Sequence, residues 1–258
     1  MSAAPDPLPV RDMFGVPVAA VTMAQALDRI SAAIAERRQI LVGVVNAAKI
    51  VNMRRDRVLR EDVLSSDVIF ADGASIVWAS RLLRRPLPER VPGIDLMLEI
   101  LRRGNERGWG VYLLGATPEV LAGTAARIAA DYPGVRVAGQ HHGYFERDEE
   151  QRVAEHIAAS GADVLFVAMT SPKKEGFLAR WRAGTRVPVC HGVGGSFDVL
   201  AGRVERAPLA WQRLGLEWLY RVKQEPRRLW RRYLVTNTLF CAMVVAELVR
   251  PRRGRAAS

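Results

Sequence analysis

Between residues 40 and 195, short apolar runs alternate with segments of helical length, and this alternation restricts the fold more than any other feature of the chain. Residues 40–45, 68–71, 110–114, 135–138, 163–169 and 187–193 read as strands, and residues 15–21 as a further short one. The segments between them carry helix starts. Thr22 with Gln25 forms a capping box for a helix to about residue 37, and Asn46 is placed to cap a helix over 47–54. Thr117 and Pro118 start a helix as cap and first residue, and Ser171 and Pro172 repeat that start. Further helices are expected over 57–64, 74–83, 95–107 and 148–159. Such alternation predicts an α/β fold: a mostly parallel sheet, Rossmann-like, with helices on both faces. After Gly202 the pattern is helical only, with one helix over 209–224, another from Pro226 to about 249, and a frayed end over 250–258. Residues 1–202 are therefore expected to form the α/β body and residues 203–258 a helical C-terminal appendage.

The stretch around which the rest is organised is 67–75. Its apolar run ends in Asp72-Gly73, so a buried strand delivers a carboxylate to its carboxyl end and a glycine permits a close turn. Ligands of open parallel sheets bind at the carboxyl ends of the strands. A charge placed there is costly unless it has a partner or a task. Asp72 is thus either a functional carboxylate or the cap of the next helix, and position alone does not separate the two.

With 49% hydrophobic residues, the chain can bury one sizeable core or two small ones. Cys190 and Cys241 are far apart in apolar runs and read as buried hydrophobes of a reducing compartment. Residues 1–12 lack the basic-then-apolar order of a signal peptide. Charge is unevenly distributed: residues 203–258 hold 13 Lys and Arg against 4 Asp and Glu, a net of +9, leaving 25 against 23 elsewhere. A concentrated basic face suits nucleic acid, or anionic membrane and phosphate groups.

Gly115 with Thr117, Thr170 with Ser171, and Gly194-Gly195-Ser196 follow successive strands and face one sheet edge. N–H groups at such starts and turns suit phosphate, so together they point to a nucleotide. Neither Gly-x-Gly-x-x-Gly nor a P-loop is present, which removes the usual support for NAD or ATP. Gly-Gly-Ser196 is not a nucleophile elbow. Asp198 can accept from ribose hydroxyls or stabilise its own turn. His141 and His142, beside Gly143, lack further ligands at metal-binding spacing and read as polar loop residues. No Asp-x-Asp occurs, so arginines or helix starts would have to neutralise a phosphate leaving group. In the appendage, Arg228, Arg231 and Arg232 share a helix face. The apolar run 234–249 contains Asn237 and Glu247 and is shorter than the ~20 residues of a span, so it reads as an interfacial helix. The plainer alternative is a helix packed on the body with a solvated basic face.

Taken together, these residues resemble the WecG/TagA/CpsF glycosyltransferases, glycosyltransferase family 26, from about Gly15 to Tyr233. The carriers are Asn46, Phe70-Ala-Asp72-Gly73, Arg90-Val-Pro-Gly93-Ile-Asp95, Leu113-Leu-Gly115, His142-Gly143-Tyr144-Phe145, Ser171-Pro172-Lys-Lys174-Glu175, Gly192-Val-Gly194-Gly195-Ser-Phe-Asp198, Arg206-Ala-Pro208, Glu217-Trp218-Leu-Tyr-Arg221 and Glu225-Pro226-Arg-Arg228-Leu-Trp-Arg231-Arg-Tyr233. The resemblance implies a GT-E type fold and transfer, with inversion and without a required metal or other cofactor, from a UDP-sugar to a polyprenyl-diphosphate-linked saccharide. It places the catalytic aspartate on Asp72 and the leaving-group arginine on Arg90, and counts Asn46 among the catalytic residues. Gly73, Gly115, Gly143, Tyr144, Ser171, Lys174, Glu175, Gly194, Gly195 and Asp198 fall in the donor site. Arg221, Arg228 and Arg231 fall in the appendage that meets the lipid diphosphate. Val44 and Lys174 depart from the family's Thr and Gln, so the implied donor is an N-acetylmannosamine-type sugar or another hexose. Lys174 is placed to face an acidic group on donor or acceptor. The implied partners are the donor, the lipid-linked acceptor and the cytoplasmic face of the inner membrane, bound peripherally, with no nucleic acid; homo-oligomerisation is left open. Two other classes stay in view: a basic nucleic-acid-binding protein and a dinucleotide oxidoreductase.

Overall fold

The computed structural model describes residues 7–249, apart from the side chain of Arg228. Strands β1 (Val10–Asp12) and β2 (Pro17–Ala19) pair antiparallel as a small separate sheet. The strand expected over 15–21 is therefore shorter than its apolar pattern and lies outside the main sheet. Helix α1 (Met23–Ala35) opens with the full Thr22–Gln25 capping box. The main sheet comprises β3 (Ile40–Val45), β4 (Val68–Ala71), β5 (Gly110–Gly115), β6 (Arg136–His141), β7 (Val164–Ala168) and β8 (Val189–Gly192). All neighbours are parallel, in the order β4-β3-β8-β7-β5-β6.

The two-residue period of the strands divides the core. Val42, Phe70, Leu113, Phe166 and Val189 face a layer built from α1, α5 (Gly93–Arg107) and α6 (Pro118–Asp131). Leu41, Leu114, Leu165, Val167 and Cys190 face α7 (Glu150–Ala159) and α8 (Lys173–Thr185). At the β3–β4 end, Val45, Ile69 and Ala71 face α2 (Ala47–Met53), α3 (Arg57–Leu64) and α4 (Ala74–Leu82). Helices thus cover both faces, as expected. Phe70 and Phe166 are fully buried; each such side chain contributes roughly 1.5–3 kcal/mol of transfer free energy.

Three local expectations are corrected. Cys241, expected to be buried like Cys190, is exposed, on the same side of the last helix as the exposed Leu234 and Leu248, one heptad before and after it. Ser171 does not cap α8: the residue before the helix is Pro172, no side-chain cap bond forms, and Lys174 N–H bonds the Thr170 carbonyl instead. Pro172 already has φ −89° and ψ −4°, so the turn closes through the backbone alone. The Ser171–Pro172 peptide is cis. The helix expected over 209–224 is broken into α10 (Leu209–Arg213) and α11 (Glu217–Gln224). The break is at Gly215, whose φ of +68° favours glycine. A Cβ there would lie 2.6 Å from Ala74 Cβ and 3.0 Å from the Trp78 ring, so Gly215 also lets this corner close on α4. Helix α9 (Ser196–Leu200) is a single short turn after Gly194-Gly195. The last helix, α12 (Pro226–Val249), packs on α2 and sends Phe240 and Val244 into the core. Residues 250–258, expected to fray, lie outside the described residues.

Candidate active site

Register brings Asp72 to Asn46. Val45 pairs with Ala71 in adjacent parallel strands, so the residues that follow each strand stand side by side. Asn46 Oδ1 accepts from Lys49 N–H at 3.0 Å and caps α2, while its amide donates to Asp72 Oδ2 at 3.2 Å. Asp72 Oδ1 accepts from Gly93 N–H at 2.8 Å, at the start of α5. The residue before α4 is Gly73, with no side-chain cap, so Asp72 does not cap the helix that follows it. Its carboxylate is turned across the strand ends instead. Gly73 lies tight against Asn46, whose Cβ would be 3.3 Å from an added Cβ.

His191 supports this arrangement from beneath. It is fully buried on β8, and its Nε2 lies 3.0 Å from the Gly93 carbonyl. Burial lowers its pKa to about 4, against the opposing pull of that carbonyl, so at neutral pH it is uncharged and Nε2–H donates. Gly93 is therefore fixed through its carbonyl while its N–H holds Asp72.

On the opposite sheet face, Lys49 Nζ donates to Glu175 Oε1 at 2.7 Å and Lys174 Nζ lies 3.5 Å from the same oxygen. Burial, and then the Lys49 charge, lower the Lys174 pKa to about 8. Burial would raise that of Glu175, but the two lysines outweigh it and hold it low. The Lys174 stem crosses Gly192, where a Cβ would meet its Cδ at 2.7 Å. Its ammonium lies 3.8 Å from where a Cβ on Gly194 would be. In this structure the acidic group facing Lys174 is Glu175 of its own helix.

The third cluster joins the body to the appendage. Arg90 Nη1 bonds Glu217 Oε2 from α11. Arg206 Nη1 bonds Asp95 Oδ1 at 2.6 Å, and its Nε lies 3.8 Å from Glu217 Oε1. Burial opposes the Arg206 charge, but Asp95 and then Glu217 outweigh it and raise its pKa. The charge of Asp72 favours the protonated forms of Lys174, His191 and Arg206.

The glycine turns form the adjoining edge. Gly115 has φ +124°, and a Cβ there would overlap the Ala168 backbone at 2.5 Å. Gly143 N–H bonds the Ala116 carbonyl at 3.0 Å, and a Cβ on it would lie 3.1 Å from Gly115 Cα. Lys173 Nζ bonds the Gly143 carbonyl at 3.1 Å and reaches the Phe145 ring. Tyr144 is exposed, and its N–H bonds His142 Nδ1 at 3.2 Å. Ser171 is exposed beside this edge. Gly195 precedes α9, and the Asp198 carbonyl closes the turn by accepting from Arg203 and Val204 N–H groups. Among the described residues, no group of three or more His, Cys, Asp or Glu side chains could hold a metal ion.

Arg221 and Arg231 are exposed on α11 and α12, and the Arg231 guanidinium lies 5.7 Å from the Trp230 ring centre. Arg228 lies on α12, but its side chain is outside the described set. Leu229–Val249 is long and apolar enough to cross a membrane by length and composition. It nonetheless has two distinct sides. Thr236, Phe240 and Val244 are buried, while Trp230, Leu234, Val235, Val245, Leu248 and Val249 are exposed. At 100° per residue the exposed set forms one stripe. The apolar stretch thus runs longer than the 234–249 expected from sequence; one side of it packs on the body, and the other is apolar and open rather than a solvated basic face.

Sequence reasoning did not assign roles to Lys49, His191, Arg206 or Glu217. Their signals were weak: Lys49 is an ordinary helix residue, His191 lies inside a strand, and the other two occur in a charged segment.

A carboxylate held at parallel strand ends by two neutral donors, with glycine turns along the adjoining edge, marks the candidate site of this α/β fold. Comparison with models of protein families matches residues 11–254 to the Glycosyl transferase WecG/TagA/CpsF family. The chain belongs to that family, and so is a glycosyltransferase of cell-surface polysaccharide synthesis, acting between a sugar donor and a lipid-linked acceptor.

Proposed function

We propose that the enzyme transfers a hexose, of N-acetylmannosamine type or another, from a UDP-sugar to a polyprenyl-diphosphate-linked saccharide, with inversion and without a metal. Asp72 takes the proton from the acceptor hydroxyl as that oxygen attacks the anomeric carbon and the bond to UDP breaks. The observation that carries this reading is the double anchoring of Asp72 by Gly93 N–H and the Asn46 amide, which fixes a general base and leaves lone pairs free for the acceptor proton. Arg90, on the loop leading to Gly93, stabilises charge on the departing diphosphate. The turns at Gly115, Gly143 and Gly194-Gly195, with Asp198, seat the nucleotide.

The exposed stripe of α12 begins with Arg231 and Trp230 and continues as aliphatic residues, which suits a peripheral position on the cytoplasmic face of the inner membrane. Arg221, Arg228 and Arg231 meet the lipid diphosphate there. A panel of UDP-sugars with a defined polyprenyl-diphosphate-linked acceptor, read by mass spectrometry, tests the function. A single UDP-hexose giving the inverted product is expected with EDTA present. No product from any UDP-sugar would reject the reading.

A further inference from the structure

We propose that Arg206 and Arg90 form a two-arginine diphosphate site whose anion position is held by Glu217 until a diphosphate displaces it. This rests on the glycosyltransferase reading and extends it to residues with no assigned role. The Glu217 carboxylate bridges the pair, with Oε2 on Arg90 and Oε1 3.8 Å from Arg206 Nε. The second contact is an ion pair without a hydrogen bond. Arg206 Nη1 is fixed by Asp95 at 2.6 Å, whereas Nε and Nη2 are buried with no hydrogen-bond partner.

Nε and Nη2 make up the side edge of the guanidinium, the edge that donates two parallel bonds to a carboxylate or phosphate. Buried donors left unpaired are costly, and fold stability gives no reason to keep them. Asp95 holds the Nη1 end of the guanidinium, and the unpaired Nε lies 3.8 Å from the bridging carboxylate. A diphosphate carries more charge and more acceptor oxygens than Glu217. It can engage Arg90 and the free edge of Arg206 together, which one carboxylate at these distances does not. Without an anion, two guanidiniums would face each other; Glu217 removes that repulsion in the empty enzyme.

The same chemistry fits the diphosphate of a nucleotide donor and that of a lipid acceptor. The test is isothermal titration of the full chain with UDP, UMP, inorganic pyrophosphate and farnesyl diphosphate. Arg206→Gln should weaken diphosphate binding roughly 10- to 100-fold, as for loss of charge-assisted hydrogen bonds, with little change for UMP. Arg206→Lys, which keeps the charge but loses the fork, should fall between. Glu217→Gln should tighten diphosphate binding roughly 3- to 10-fold by removing the competing charge.

Losses confined to UDP assign the site to the donor, losses confined to farnesyl diphosphate assign it to the acceptor, and either supports the proposal. If Arg206→Gln misfolds because Asp95 is left unpaired, Glu217→Gln decides: unchanged or weaker diphosphate binding overturns the proposal. Wild-type enzyme that binds diphosphate and transfers sugar, with Arg206→Gln and Glu217→Gln both unchanged in binding, defeats this proposal alone. Wild-type enzyme that neither binds diphosphate nor transfers sugar defeats the enzyme reading as well.

Discussion

Replacing Asp72 with Asn is the sharpest test of the site, and the structure shows that the change is less neutral than its shape suggests. Asp72 accepts two hydrogen bonds, from Gly93 N–H at 2.8 Å and from the Asn46 amide at 3.2 Å. An amide has one acceptor oxygen. If that oxygen keeps Gly93, the new NH2 meets the NH2 of Asn46. Rotating Asn46 relieves the clash but withdraws Oδ1 from Lys49 N–H and uncaps α2. Either way one hydrogen bond or one cap is lost, about 1–2 kcal/mol of stability. Loss of a positioned base lowers the rate ~10²–10⁴-fold, about 2.7–5.4 kcal/mol of barrier. The two effects are separable by size and by assay. Urea unfolding should show the small loss, and single-turnover transfer at saturating donor the large one. Asn46→Ser, which can keep the cap but loses the bond to Asp72, should match the stability loss with a much smaller loss of rate. A folded Asp72→Asn enzyme with near-wild-type turnover would refute the assignment of Asp72 as base.

Arg90→Ala should cost ~2–4 kcal/mol of transition-state stabilisation, and activity should survive EDTA; abolition by EDTA with rescue by Mn²⁺ or Mg²⁺ would show that the leaving group is handled otherwise. His191 has a pKa lowered from 6.5 to about 4, so the unfolded chain takes up the proton first as pH falls. Its contribution to stability is present above pH 6.5 and falls by up to about 3 kcal/mol as pH drops through 4. Urea unfolding at pH 7 and pH 4.5 should show that loss, and His191→Gln should reduce it; equal pH dependence in both proteins would contradict the buried neutral imidazole. The exposed stripe of α12 can be tested without opening the core, because Phe240 and Val244 stay in place: Leu234→Glu with Leu248→Glu should abolish liposome binding and leave the unfolding midpoint nearly unchanged, and retained binding would sink the membrane reading.

What could be read from the sequence was local. The Thr22, Asn46 and Thr117 caps and the apolar runs each occupy a few consecutive residues, and they fixed the order of the elements. Asp72 was visible because a strand and a glycine frame it. The contacts of its neighbours were not visible, although the resemblance named Asn46 and Arg90. Asn46 reaches it through the Val45–Ala71 register, Gly93 is held by a histidine 98 positions away, and Arg90 is met by a glutamate 127 positions away. No spacing rule encodes such pairs, because the sheet order that creates them is set by the whole core. The break at Gly215 was missed for a related reason: glycine is tolerated within a helical pattern, and only the close approach to Trp78 shows why the chain turns there.

The appendage shows where charge counting stops being informative. Its net charge of +9 suggests a segment that brings cations to an anionic surface. At the site, however, its first contribution is an anion. Glu217 reaches Arg90 and lies across from Arg206, while Arg221 and Arg231 are exposed. The body supplies Arg90, and the appendage both occupies it and adds Arg206 beside it. A segment that only recruited the enzyme to a membrane would have no cause to place a carboxylate between those two guanidiniums. A segment that also governs entry of a diphosphate would, because its acid must leave before the pair can act. The basic exterior and the inward Glu217 are then two parts of one arrangement, in which the surface that gathers polyanions carries the group that their phosphates displace.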